Sequence, residues 1–223
     1  MSDTDTFIDE VTEEVRRDHL FALFKRYGWI AVLVIILIVG GASYNEYRKA
    51  SERAAAEKLG DDIIAALAQN DAGGRATALA GIEAATTGGA AVLQFMVSAA
   101  QANSDQTETA VAGLNKVASN GELPEIYRQI AGFKALTLQA ETLPAADRRI
   151  AFEALAKPGA PLRLLAEEQL ALIDISEGKA DEAVKRLQAI LQDAEASTDL
   201  QQRAAQVIVA LGGEPKFRTS IQG

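Results

Sequence analysis

The chain has 223 residues, 48% hydrophobic but only 5% aromatic, and 43 of them are alanine. Strand-rich folds rely on β-branched and aromatic side chains, so a chain one-fifth alanine reads as closely packed helices. The lack of cysteine excludes disulfides, thiolate metal sites and a cysteine nucleophile; a net charge of −9 argues against nucleic acid, and a single histidine, His19, excludes any mechanism needing a histidine pair.

The first predicted element is an acidic leader, residues 1–26. Phe7, Ile8, Val11, Val15, Leu20, Phe21, Leu23 and Phe24 recur near a 3.6-residue period, and Thr6 with Asp9 has the spacing of a capping box. The spacing predicts an amphipathic helix, either lying on a membrane or partner or serving as a plain helical extension. His19 falls within it and reads as a surface histidine.

Residues 27–45 follow without a charge. As a helix they would rise about 28 Å, close to the hydrocarbon thickness of a bilayer. Leu33, Ile36 and Val39 lie in a centre apolar on every face, while Tyr27, Trp29 and Tyr44 stand near the ends, where amphipathic rings prefer the headgroup zone. A membrane-spanning helix is expected over 27–45. Arg16, Arg17, Lys25 and Arg26 before it are matched by Arg48, Lys49, Arg53 and Lys58 after it, so charge leaves the orientation open.

From residue 46 to 211, helix-period segments alternate with turn signals at residues 70–74, 86–89, 103–105, 119–121, 143–144, 157–161, 177–179 and 197–198. These predict about nine short-linked helices packed as antiparallel hairpins. Within every second helix an Ala-x-x-x-Leu/Ile motif recurs: Ala78 with Ile82, Ala110 with Leu114, Ala151 with Leu155, and Ala183 with Leu187. A small side chain at fixed register lets a neighbouring helix seat a larger one. The clearest unit runs from Leu170 and Ala171 through Gly178 in the turn to Ala183 and Leu187. This unit resembles a tetratricopeptide repeat, a resemblance that implies an aromatic residue at the position where Asp174 stands. Residues 212–223 form a C-terminal tail, expected to fray after Gly212-Gly213 and Pro215.

The order of parts, with Phe7-Ile8-Asp9-Glu10-Val11 in the leader, Tyr27-Gly28-Trp29 entering the apolar run, Tyr44-Asn45-Glu46-Tyr47 leaving it and degenerate tetratricopeptide-like helices beyond, resembles the bacterial ancillary SecYEG translocon subunit family (YfgM-like) in its alphaproteobacterial form. The resemblance implies an all-α inner-membrane protein with one span and a cytoplasmic N-terminus. It also implies a periplasmic tetratricopeptide-like domain that binds the Sec translocon, periplasmic folding factors and translocated clients.

No catalytic constellation accompanies it. Gly178-Lys179 lacks the upstream glycine and following Ser/Thr of a phosphate loop, and the adjacent acids Asp61-Asp62 and Glu167-Glu168 read as solvated faces. A non-enzymatic protein-interaction module is therefore expected, with no cofactor, metal or small-molecule substrate; a scaffold for an envelope or cell-division complex is the alternative.

Overall fold

The computed structural model describes the backbone of residues 3–218 and the side chains of residues 26, 29–30 and 32–218. Every regular element among the described residues is an α-helix: α1 (Asp3–Leu67), α2 (Ala72–Ala80), α3 (Thr87–Ala102), α4 (Thr107–Ala118), α5 (Glu125–Leu138), α6 (Ala145–Leu155), α7 (Arg163–Ser176), α8 (Ala180–Gln192) and α9 (Thr198–Ala210). The chain is thus all-α. Its contacts divide it into two units, Met1–Glu57 and Lys58–Gly223.

The described part of the first unit lies within α1. Every described side chain from 29 to 39 is apolar and exposed, Ile36, Leu37 and Ile38 by about two-thirds of their surface. Among the described residues, no helix is long and apolar enough to cross a membrane. Tyr27, Gly28 and Ala31, three residues of the expected span, have side chains outside the described set, as do the leader's Phe7, Ile8, Asp9 and His19.

The second unit begins with the end of α1. Its turns are set by local chemistry. Asp71, Thr86 and Ser197 turn their side-chain oxygens onto the N–H groups of Gly74, Gly89 and Leu200, capping α2, α3 and α9. Gly178 adopts φ +76° after α7, allowing the Lys179 N–H to reach the Asp174 carbonyl at 2.8 Å and the Gly178 N–H to reach that of Ile175 at 3.0 Å. All eight predicted turn segments fall between helices or at their first or last residues. The shortest described helices are α2, with 9 residues, ending where the Gly81 N–H bonds back to Thr77 and Ala78, and α6, with 11.

Apolar side chains gather in four successive clusters. Ala66, Ala76, Leu79, Leu93 and Val97 join the end of α1 to α2 and α3. Ala91, Leu114, Val117, Ala131 and Ala135 join α3, α4 and α5. Phe152, Ala166, Leu170 and Ile173 join α6 and α7, with Phe133 and Leu136 of α5 packed against them. Ala171, Ala183, Leu187, Ile190, Leu200, Ala204 and Ile208 join α7, α8 and α9. Helices α3, α5 and α7 each carry two apolar faces and belong to two clusters. Stability in such an arrangement accumulates from neighbour to neighbour rather than from one central core.

Candidate functional site

The most buried charge in the second unit is Asp174, late on α7, with a side chain 4% exposed. It accepts from Arg149 of α6 at 2.7 Å and from Arg186 of α8 at 3.2 Å. Arg149 also donates to Glu177 at 2.9 Å, and Arg186 to Glu167. Burial pushes the Asp174 carboxyl up, but the hydrogen bonds and charges of the two arginines outweigh it and hold the group below the ordinary aspartate range. An ionised carboxylate so enclosed is acceptor-only, so it fixes three helices rather than moving a proton.

The adjacent acids on α7 diverge. Glu167 meets Arg186 of α8, whereas Glu168 takes a bidentate bond from Arg203 of α9 at 2.8 and 3.0 Å. Neighbours about 100° apart on a helix serve two different partners. The expectation of a solvated acidic face at Glu167 and Glu168 is corrected: both are held in interhelical ion pairs. Among the described residues, no group of three His, Asp or Glu side chains converges as a metal site would require.

Near the start of α7, Arg163 donates to Asp193 and Glu195 at 2.8 Å each. Asp193 is held below its ordinary range by the Glu195 N–H, by Arg163, and by the charge of Arg218 in the tail. That tail is not simply frayed. Residues 213–218 return to α8, where the Lys216 N–H donates to Gln188 Oε1 at 3.0 Å and its carbonyl accepts from the side-chain amides of Gln188 and Gln192.

Two grooves open elsewhere. One, of about 340 Å³, lies between α3 and α5, walled by Phe95, Ser98, Phe133 and Leu138, floored by Leu114 and rimmed by Lys134 and Asn103. The rings of Phe133 and Phe152 meet edge to face at 5.6 Å, fixing one wall. The other, about 390 Å³, lies against α2, α3 and α4, with Leu79, Val97, Gln94, Gln101 and Lys116 around it. Gln101 is 9% exposed, and its Oε1 has no hydrogen-bond partner among the described residues.

The repeat-packing residues fall into two groups. Ala110, Leu114, Ala183 and Leu187 are fully buried, as are Leu170 and Ala171, and Gly178 takes the left-handed turn. Between α3 and α4 the close approach is visible: buried Ser98 donates to the Ala110 carbonyl at 3.2 Å, and a Cβ on Gly113 would collide with the Gln94 amide. Ala78, Ala151 and Leu155 are half-buried, their helices turning Leu79 and Phe152 inward instead; Ile82 sits beyond the end of α2, packed against the first cluster. Of the predicted span residues, Trp29, Leu33, Ile36, Val39 and Tyr44 are exposed on α1, and the side chain of Tyr27 lies outside the described residues.

Sequence reasoning missed the Arg149–Asp174–Arg186 network and the glutamine pair that holds the tail. Their partners lie 12 to 28 residues apart, beyond the three- and four-residue spacings that reveal ion pairs on one helix. The available signal was Asp174 itself, a charge at a position the helix pattern turns inward. Set against protein-family models, curated proteins and solved structures, the chain matches none.

Proposed function

We propose that this chain is a non-catalytic, membrane-anchored protein-interaction module of the ancillary SecYEG translocon subunit kind. Its α1 would hold a tetratricopeptide-like stack of helices on the periplasmic face of a bacterial inner membrane. The observation that carries the reading is the groove between α3 and α5, an apolar cleft with two aromatic walls on helices that each serve two clusters. Shared helices of this kind offer a rigid concave surface, and peptide recognition commonly uses such grooves. Lys134 on the rim favours an acidic residue beside the apolar side chain that enters.

The anchor is supported by the apolar, exposed side chains of residues 29–30 and 32–39. A patch of that length has no reason to face water. Tethering raises the effective concentration at the membrane, so a weak groove would suffice.

The test is photo-crosslinking from a benzoylphenylalanine placed at Phe133 in the full chain in its native membrane, followed by detergent extraction. Cross-links to translocon subunits, periplasmic folding factors or exported polypeptides are expected. Recovery in the soluble fraction without detergent, or cross-links confined to the chain itself, would overturn the reading. Protease treatment of spheroplasts should remove the part after Glu46 and spare the leader.

A further inference from the structure

The last described residues lie where the helical stack has no need of them. Gly212 ends α9 at φ +79°, and the Gly213 N–H closes onto the Ile208 carbonyl at 2.9 Å. A Cβ on Gly213 would stand 3.0 Å from Ile208 Cγ2 and 3.6 Å from Val184 Cγ1, so the chain leaves in contact with both α9 and α8. Three residues later Lys216 reaches Gln188 and Gln192, one turn apart on α8 and therefore side by side.

A primary amide presents a donor and an acceptor in one plane, matching the N–H and C=O of an extended residue. Gln188 uses both, and Gln192 supplies a second donor to the same carbonyl oxygen, which has two lone pairs. The side chains of the held segment contribute little: Phe217 is 55% exposed, and Lys216 and Arg218 face solvent. Recognition is therefore through the main chain.

We infer that this face of α8 is a binding site for an extended polypeptide segment recognised through its main chain. The C-terminal tail occupies it as a strap in cis, and an unfolded client segment displaces it. The inference rests on the reading of the chain as a polypeptide-binding module, but it names a different surface from the α3–α5 groove. Main-chain recognition suits a client class without a common sequence. A strap held by a few neutral hydrogen bonds, with almost no apolar burial, is one that a competitor can lift.

The probe is a fluorescein-labelled synthetic peptide of residues 214–223, titrated by anisotropy into detergent-solubilised full chain and into a variant ending at Gly213. The shortened variant is expected to bind at least tenfold more tightly, because the full chain's own tail competes at high effective concentration. Adding Gln188→Ala and Gln192→Ala should reverse that gain, weakening binding tenfold or more, because three hydrogen bonds worth about two- to tenfold each are removed. A peptide with alanine at position 217 should bind within threefold, and one with proline at 216 should fail. Equal affinity with and without the two glutamines overturns the inference, as does tail exchange into dimers with no binding of free peptide.

Should the shortened variant not fold, hydrogen exchange at the Lys216 amide of the full chain decides. Protection that excess peptide removes supports the strap; exchange indifferent to peptide overturns it. Peptide binding without translocon cross-links would sink the proposed function alone, and cross-links without peptide binding would sink this inference alone.

Discussion

Arg149 on α6 and Asp174 on α7 meet at 2.7 Å, 25 residues apart in the chain, while Arg186 of α8 holds the other oxygen of the same carboxylate at 3.2 Å. Three helices therefore share one buried negative charge. Asp174→Ala would leave two guanidiniums without their common acceptor, although Glu177 and Glu167 still engage each of them. A loss of about 2 kcal/mol in unfolding free energy is expected, below the value for a fully buried pair because both arginines are partly solvated. Urea denaturation of the full chain in detergent measures it. Replacing Arg149, Asp174 and Arg186 together by apolar residues of similar size should restore only part of the loss, since no guanidinium then lacks its acceptor but Glu167 loses Arg186 and Glu177 keeps Lys179 alone.

The pH dependence follows from the same group. Asp174 has its folded pKa lowered, so the unfolded state binds its proton more readily, and the stabilisation is fully present above the unfolded value of about 3.9. It is lost as pH falls through the lower folded value. Melting temperature should accordingly show no pH dependence from this group between pH 7 and 5, where its stabilisation is complete, and decline below about pH 4. In Asp174→Asn, a calorimetric series from pH 7 to 2.5 should show a shallower decline.

The two buried alanines of the recurring motif should be intolerant and the two half-buried ones permissive. Ala110→Leu and Ala183→Leu push side chains into filled helix contacts and are expected to cost about 1–3 kcal/mol each. Ala78→Leu and Ala151→Leu, at partly open positions, should cost less than about 1 kcal/mol. Leu187→Ala, which opens a cavity among Ile190, Leu200 and Ile208, is expected to cost about 2–5 kcal/mol. Denaturant midpoints for the five variants provide the comparison.

Gly178→Ala isolates a backbone effect. Nothing lies within 4 Å of a Cβ placed there, yet φ is +76°, so the substitution meets conformational strain without a clash. A cost of about 1–2 kcal/mol is expected. Gly121→Ala, equally open but without a positive φ, should be nearly neutral. A temperature scan of both variants by circular dichroism separates the two causes.

Much of the fold was legible because its signals are local. Asp71, Thr86, Ser197, Gly178 and Gly212 belong to segments that read as turns or helix ends in the sequence, and in the fold they close helices through bonds reaching no more than six residues. The motif register was legible at Ala110 and Ala183 but not at Ala78 or Ala151. There, Leu79 and Phe152 were better able to fill the space between helices and rotated the alanines aside. The candidate site was largely illegible. Glu167 and Glu168 look alike as neighbours in sequence, and only the positions of α8 and α9 give each its own arginine.

The sequence by itself determined the helical class, the turns and the uncharged apolar run from 27 to 45, because alanine content, capping residues and hydrophobic period act within a few residues. The tertiary structure decided which faces of α3, α5 and α7 serve two clusters, how Asp174 came to be buried between two arginines, and where the tail lies on Gln188 and Gln192. Those outcomes depend on distances between segments 12 to 28 residues apart. Such distances are set by how whole helices pack, a property that no local window of the chain contains.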